Sequence, residues 1–364
     1  MPLNYTSLKG RVSAVLLAAV LVAAGCGGDD DKAVTPKPTT STTSSTTSTT
    51  STTTTTVVPV PDAIAPLTGV KVTPEMTPRM ARPALAVKID NSEAAMPQSG
   101  LNDADLVFEI KVEGISRLMA VFHSNDSAEI GPTRSARYSD PPILALLGKP
   151  LFGWSGANEG VARDVYNSEW VYNVNWDKVK NSDYQRKRGR SAPHNLFTTT
   201  ANLFAYAKPE QGIPLQQFQY LAEGESNAGA YPVAGMREKV GDTPSAWVWD
   251  AATSQWLRWQ YGKRDNTNAG QAAAQNVVTL EIEYKGGSKT PTAKTVGSGR
   301  AIVLVGGTVV EGTWSRNSQL EPLFLTRTDG QPIKLTPGRT WIELTQGATS
   351  QILDADAAAA MLAS

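Results

Sequence analysis

Residues 105–123, DLVFEIKVEGISRLMAVFH, decide the fold class. Over 105–112 the apolar side chains alternate: Leu106, Phe108, Ile110 and Val112 fall on one face, Glu109 and Lys111 on the other. Successive side chains of a strand point to opposite faces, so this period of two predicts a half-buried β-strand with its acidic face in solvent. Glu113-Gly114 interrupts the pattern and 115–123 resumes it, which makes the pair a hairpin. Upstream, ALAVKID (84–90) alternates Leu85, Val87 and Ile89 in the same way. Helical stretches follow: PPILALLG (141–148) opened by proline, NEGVARDVYN (158–167) and TTANLFAYA (199–207), the last two each with a capping residue. Residues 66–240 are therefore expected to form a mixed α/β domain.

Residues 241–350 have a different grain. Strand signals recur at short spacing in SAWVWD, QWLRWQYG, NVVTLEIEY, RAIVLVGG, TVVEGTWS and RTWIELT, punctuated by Gly286-Gly287, Gly306-Gly307 and Pro337-Gly338. That pattern predicts a smaller, mostly antiparallel β domain, with a short helix in the tail 351–364. The fold class is α+β. Six of the nine tryptophans lie after residue 240, at Trp247, Trp249, Trp256, Trp259, Trp314 and Trp341. They are either core or an exposed aromatic platform for a sugar polymer or a protein partner.

The N-terminus reads as an export signal. Lys9 and Arg11 precede an apolar run that ends in Ala23-Ala24-Gly25 before Cys26, the only cysteine. The run is shorter than the about 20 residues a spanning helix needs. Small residues directly before a cysteine look like a lipobox, with Ala23 where leucine is usual. Residues 1–25 are then the signal peptide, and Cys26 carries the lipid. Residues 26–65 form a disordered linker whose core, 39–56, is uninterrupted Ser and Thr. As a flexible coil, the stretch from Cys26 to Pro66 reaches roughly 35 Å, with or without glycosylation. The head is placed on the outer face of a bacterial cytoplasmic membrane. Formal charge is zero, from 34 basic and 34 acidic residues, and removal of the signal leaves 32 basic residues. No basic field exists for nucleic acid.

Three sets of residues are candidates for a site. Arg134 and Arg137 lie three apart in GPTRSARYSD, after a Gly-Pro turn. Paired guanidinium groups suit a carboxylate or phosphate, or an ion pair with Glu109 or Glu113. Arg188 and Arg190, with Arg186 and Lys187, crowd the loop before His194 and Asn195, and with Arg117 they can line one anionic cleft. His194 is one of only two histidines, the other being His123. As a base it requires an orienting carboxylate and a nucleophile such as Ser191 or water. Glu109 and Glu113 share a face if the strand runs through both, and two carboxylates can drive glycoside hydrolysis or form a solvated face. Asp90, at a strand end, is a turn former or a site residue. The residues offer no zinc spacing, no EF-hand loop and no cofactor motif, so neither metal nor cofactor is expected.

RPALAVKIDN, MPQSGLNDADLVFE, VEGISRLMAVF, IGPTRSAR and RSAPHN resemble the YerB-like lipoproteins, as do GSGRAIVLVGGTVVEGTW, DGQPIKL and GRTWIEL. The likeness spans about residues 66–347, with Phe108 where tyrosine often stands and Ile115 where a second glycine often follows Glu-Gly. It implies an envelope lipoprotein of two segments and no known reaction. The expected function is a non-enzymatic head that binds an anionic wall component or a wall-synthesis protein. A wall-active hydrolase is the alternative, and a solute-binding lipoprotein the third possibility.

Overall fold

The computed structural model describes residues 63–364. The signal-like segment, Cys26 and nearly all of the Ser/Thr-rich linker lie outside the described residues. Within them the expected hairpin forms. Leu106–Lys111 (β2) pairs antiparallel with Ser116–Phe122 (β3), Glu109 opposite Leu118. Gly114 turns the chain between them at φ +77°, where a side chain would be strained. Leu85–Ile89 (β1) adds to β3 antiparallel, and Leu151–Gly153 (β4) adds to β1 in parallel. The helices Glu159–Asn167, Thr200–Phe204 and Ala355–Ala363 begin where their caps predict. The Asn158, Thr199 and Asp354 side chains accept from the backbone N–H groups of Val161, Asn202 and Ala357. None of the described helices is long and apolar enough to cross a membrane.

The two sequence regions share one sheet. Strand Thr340–Thr345 inserts between Asn276–Glu281 and β2, parallel to both. The eleven-stranded sheet thus runs from Phe324–Arg327 through Thr308–Arg316, Gly297–Val305, Asn276–Glu281 and Thr340–Thr345 to β2, β3, β1 and β4. The change of grain at residue 240 separates two stretches of sequence, and residues 63–364 fall within one compact unit. Without the Thr340–Thr345 strand, β2 would present an open row of unpaired N–H and C=O groups. The fold is α+β, with a mixed first part and antiparallel hairpins in the second.

A smaller six-stranded sheet, built mainly from Gly235–Val240, Thr243–Asp250, Gln255–Gln260 and Gln351–Leu353, covers one face of the large one. One core therefore contains Leu106, Phe108, Ile110, Ile342 and Leu344, while Val107, Leu118 and Trp341 pack on the opposite face against Trp247 and Trp256. Trp247 and Trp341 meet edge to face at 5.2 Å. Trp259 and Trp314 are buried too, and the half-buried Trp249 stacks on Trp256 at 5.1 Å, so these six side chains serve as core rather than as a surface platform.

This second layer overturns the expectation that Glu109 faces solvent. Its side chain is 0% exposed, because the face assigned to water is the one the smaller sheet covers. Arg258, equally buried, donates from Nη2 to Glu109 Oε2 at 2.6 Å and from Nη1 to Asp265 Oδ2. Its Nε lies 4.0 Å from Glu343 Oε1, which accepts from Trp247 Nε1 at 2.8 Å. Glu238, close by, accepts from Thr279 Oγ1 at 2.7 Å and from Ser350 Oγ at 3.2 Å. One guanidinium cannot neutralise four carboxylates. Burial, together with the charge of Glu109, pushes Glu238 up to about 7 and Glu343 well above the ordinary carboxylate range.

Two outcomes follow. Arg258→Met strands Glu109 and Asp265 as buried charges and should cost about 3–5 kcal/mol in urea unfolding. Glu238 takes up a proton on folding, so its contribution is present at low pH and lost as pH rises through about 7. Glu238→Gln should therefore raise the melting temperature at pH 8 by a few degrees and change it little at pH 4.5, a difference calorimetry at the two pH values will read.

Candidate functional site

β1 runs out at Ile89, and Asp90 and Ser92 follow at its end. Gly131–Arg134 lies alongside: Pro132 C=O accepts from Asp90 N–H at 2.9 Å, and Lys88 C=O accepts from Arg134 N–H at 2.9 Å. The His194–Phe197 segment closes on the other side, where Leu196 C=O accepts from Thr133 N–H at 2.7 Å. Gly131 permits that approach, because a Cβ there would stand 2.8 Å from Phe197 Cδ1 at a φ of +148°. Three segments far apart in sequence thus converge on Asp90.

The Asp90 carboxylate is 1% exposed. Its Oδ2 accepts from His194 Nδ1 at 2.8 Å and lies 3.0 Å from Arg134 Nε, and its Oδ1 accepts from Ser92 N–H at 3.1 Å. A carboxylate only accepts, so the shared proton sits on His194 Nδ1, and in the neutral tautomer that fits this bond the lone pair is on Nε2. Among the described residues Nε2 has no hydrogen-bond partner, on a side chain 22% exposed. Ser92 Oγ stands 3.3 Å from the same Nδ1, not from Nε2. His123, the other histidine, is enclosed with neither ring nitrogen partnered, and burial lowers it to about 4.

Arg117, on β3, enters the same cluster. Arg117 Nη1 and Arg137 Nη1 both donate to Ser135 C=O at 3.4 Å, so two guanidinium groups converge on one carbonyl. Arg137 also holds Glu113 Oε2 through Nε at 3.0 Å and Nη2 at 2.7 Å. Burial of Glu113 raises its carboxyl, but the bonds from Arg137 outweigh that and hold it below the ordinary range. Behind them, Lys88 Nζ donates to Asp140 Oδ1 at 2.6 Å in full burial. Arg117 is different. It is 6% exposed, its Nε has no partner, and among the described residues no carboxylate lies within ion-pair distance. Burial, then the charges of Arg137 and Arg134, lower it to about 10. Lys88, Arg117, Arg134 and Arg137 face Asp90, Asp140 and Glu113, which leaves one positive charge uncompensated.

The predicted residues therefore divide. Arg117, Arg134, Arg137, Glu113 and His194 come together around Asp90 and Ser135. Glu109 does not join Glu113 on one face: β2 ends at Lys111, Glu113 lies in the turn, and Glu109 is sealed against Arg258. The basic loop is largely occupied with its own scaffold. Arg190 donates to the Ala95 and Pro97 carbonyls at 2.8 and 2.7 Å, Arg186 donates to Asn195 Oδ1 at 2.7 Å, and Lys187 pairs with Glu129. Asn195 is buried and donates to Arg190 C=O, whereas Arg188 is exposed with no side-chain partner among the described residues. Ser92 was not expected at the site, and only its place two residues past Asp90 marked it. Ser191 is exposed, and its carbonyl accepts from His194 N–H.

The chain is similar to a 27% identical Bacillus subtilis (strain 168) relative that bears the name "Putative lipoprotein YerB", over 77% of this chain and 85% of that one. The fold matches the crystal structure of YerB protein from Bacillus subtilis with a TM-score of 0.69 at 22% identity, covering 80% of this chain and all of the other. Residues 67–213 match the N-terminal domain and residues 236–342 the C-terminal domain of a family described as protein of unknown function (DUF3048). With both segments present, in order and over most of its length, the chain belongs to the DUF3048 family, whose members include YerB.

Proposed function

We propose that this protein is a lipid-anchored envelope protein whose head holds a singly charged anionic group, from a wall component or a wall-synthesis protein, against Arg117. The single observation that carries this is the uncompensated Arg117 guanidinium. A buried charge without a partner costs several kcal/mol, and a fold under no demand for it would lose it. Beside it Arg137 supplies a second planar donor face, and Arg134 a third cation already steadied by Asp90. Guanidinium groups in that arrangement match the oxygens of a carboxylate or phosphate. The Cys26 lipobox and the Ser/Thr stalk support the placement, as does the lipoprotein name of the relative. A tether of that length holds the head at high local concentration over the membrane surface.

The full-length protein in detergent can be titrated calorimetrically with a muropeptide bearing a free carboxylate and with glycerol phosphate oligomers. One of them should bind, and Arg117→Met should weaken that binding at least tenfold. The same substitution should raise the midpoint of urea unfolding, by about 1 kcal/mol in unfolding free energy, because it removes an unpaired buried cation. A purely structural Arg117 gives the opposite pattern, a lower midpoint with binding unchanged. Cys26→Ala should move the protein from the membrane to the soluble fraction of fractionated cells, and retention on the membrane would sink the anchor assignment.

A further inference from the structure

The Asp90–His194 pair goes beyond what an anion-binding site needs. Binding through Arg117 requires cations, but here a fully buried carboxylate fixes an imidazole through Nδ1, on a part-exposed ring whose Nε2 has no hydrogen-bond partner among the described residues. That is the arrangement of an oriented general base, with Asp90 steadying the imidazolium that forms when Nε2 takes a proton. Arg134, on the same Asp90 oxygen, limits where both groups can move. Neither serine serves as the nucleophile. Ser92 Oγ is at Nδ1, the wrong nitrogen, and Ser191 meets His194 only through its backbone carbonyl, with no hydrogen bond from its Oγ to the ring. Water is the remaining choice.

Charge then selects the substrate. An unpaired buried guanidinium calls for a ligand that is already anionic in the ground state, and a neutral ester or amide leaves it unpaired. A general base calls for a bond that water can break. A carboxylate satisfies the first demand only. A phosphodiester meets both demands: it is singly charged, matching the one uncompensated positive charge of the cluster, and water can break its P–O bond.

We propose that Asp90, His194 and the Arg117–Arg134–Arg137 cluster hydrolyse an envelope phosphodiester, a proposal that rests on the anion-binding assignment above. Water oxygen attacks phosphorus as His194 Nε2 accepts its proton. The new P–O bond forms, the P–OR bond breaks with its electron pair on the leaving oxygen, and that oxygen is reprotonated from solvent. No redox change occurs. The second negative charge that develops on the phosphoryl oxygens lies against the arginines, where such stabilisation is largest.

The test uses the full-length protein with bis(4-nitrophenyl) phosphate, reading nitrophenolate, and with diethyl phosphate for binding by calorimetry. The expected result is turnover that falls at least 100-fold in His194→Gln while diethyl phosphate still binds that variant. Asp90→Asn should fall similarly, but it also perturbs Arg134, so His194→Gln is the deciding variant. Turnover unchanged in His194→Gln overturns the proposal. So does 4-nitrophenyl acetate cleaved in place of the phosphodiester. Diethyl phosphate bound without turnover overturns hydrolysis and leaves anion binding standing, whereas no binding at all removes both. Two natural sources share this chemistry, so poly(glycerol phosphate) and phosphatidylglycerol vesicles form separate arms followed by phosphorus NMR. Cleavage of either supports the proposal and names the source, and cleavage of neither overturns it.

Discussion

The Arg258 guanidinium is the contact on which the rest of the molecule depends. It reaches β2 through Glu109, its own sheet through Asp265 and the inserted Thr340–Thr345 strand through the field of Glu343. Its carbon lies 4.9 Å from the Trp341 ring centroid and 5.8 Å from that of Trp247, so its faces are covered by aromatic rings while its edges are met by carboxylates. A buried ion pair adds little net stability compared with well-packed apolar residues, but removal of one partner is severe. Its physical role is therefore registry. The smaller sheet can slide over the larger only by breaking contacts that have no aqueous replacement. With that face fixed, the opposite face holds the apolar core, and the end of β1 holds Asp90.

Much of this was legible in the sequence, for reasons that also explain the failures. Period-two alternation marked β1, β2, β3 and the later strands because strand side chains alternate whatever surrounds them. Asn158, Thr199 and Asp354 marked helix starts because capping is local. The failures were non-local. Alternation reports which side chains share a face and not whether that face meets water. Glu109 was placed in solvent because its partner, Arg258, stands 149 residues away. Val107 on the same face was the available warning. The basic loop misled in the opposite direction: Arg186, Lys187 and Arg190 looked like a ligand surface, yet backbone carbonyls, Asn195 and Glu129 take them up. Asp90 read equally well as a turn former, and only the approach of Gly131–Arg134 and His194 makes it a hub.

Arg258 and Arg117 separate structure from function more sharply than either does alone. Both are buried arginines within strands, Arg117 between Ser116 and Leu118 and Arg258 between Leu257 and Trp259, and neither setting shows in the sequence what the side chain meets. Arg258 has two carboxylates in direct contact and a third at 4.0 Å, in a pocket with excess negative charge. Arg117 has one long bond to a carbonyl, in a cluster with excess positive charge. The first arrangement is complete without a ligand, because surplus carboxyls can keep their protons. The second has no such remedy: guanidinium groups stay charged, and neighbouring cations make the position worse. Among the described residues no carboxylate pairs with Arg117.

That asymmetry also bears on how the head would work at a surface. Three cations and one oriented imidazole around Asp90 cannot be assembled from any one segment. They need the end of β1, the turn after Gly131, the His194 loop and β3 held in register at once. The first three are joined by backbone hydrogen bonds, and β3 by its pairing with β1 and β2. The site is thus built on the sheet, from residues between Lys88 and His194.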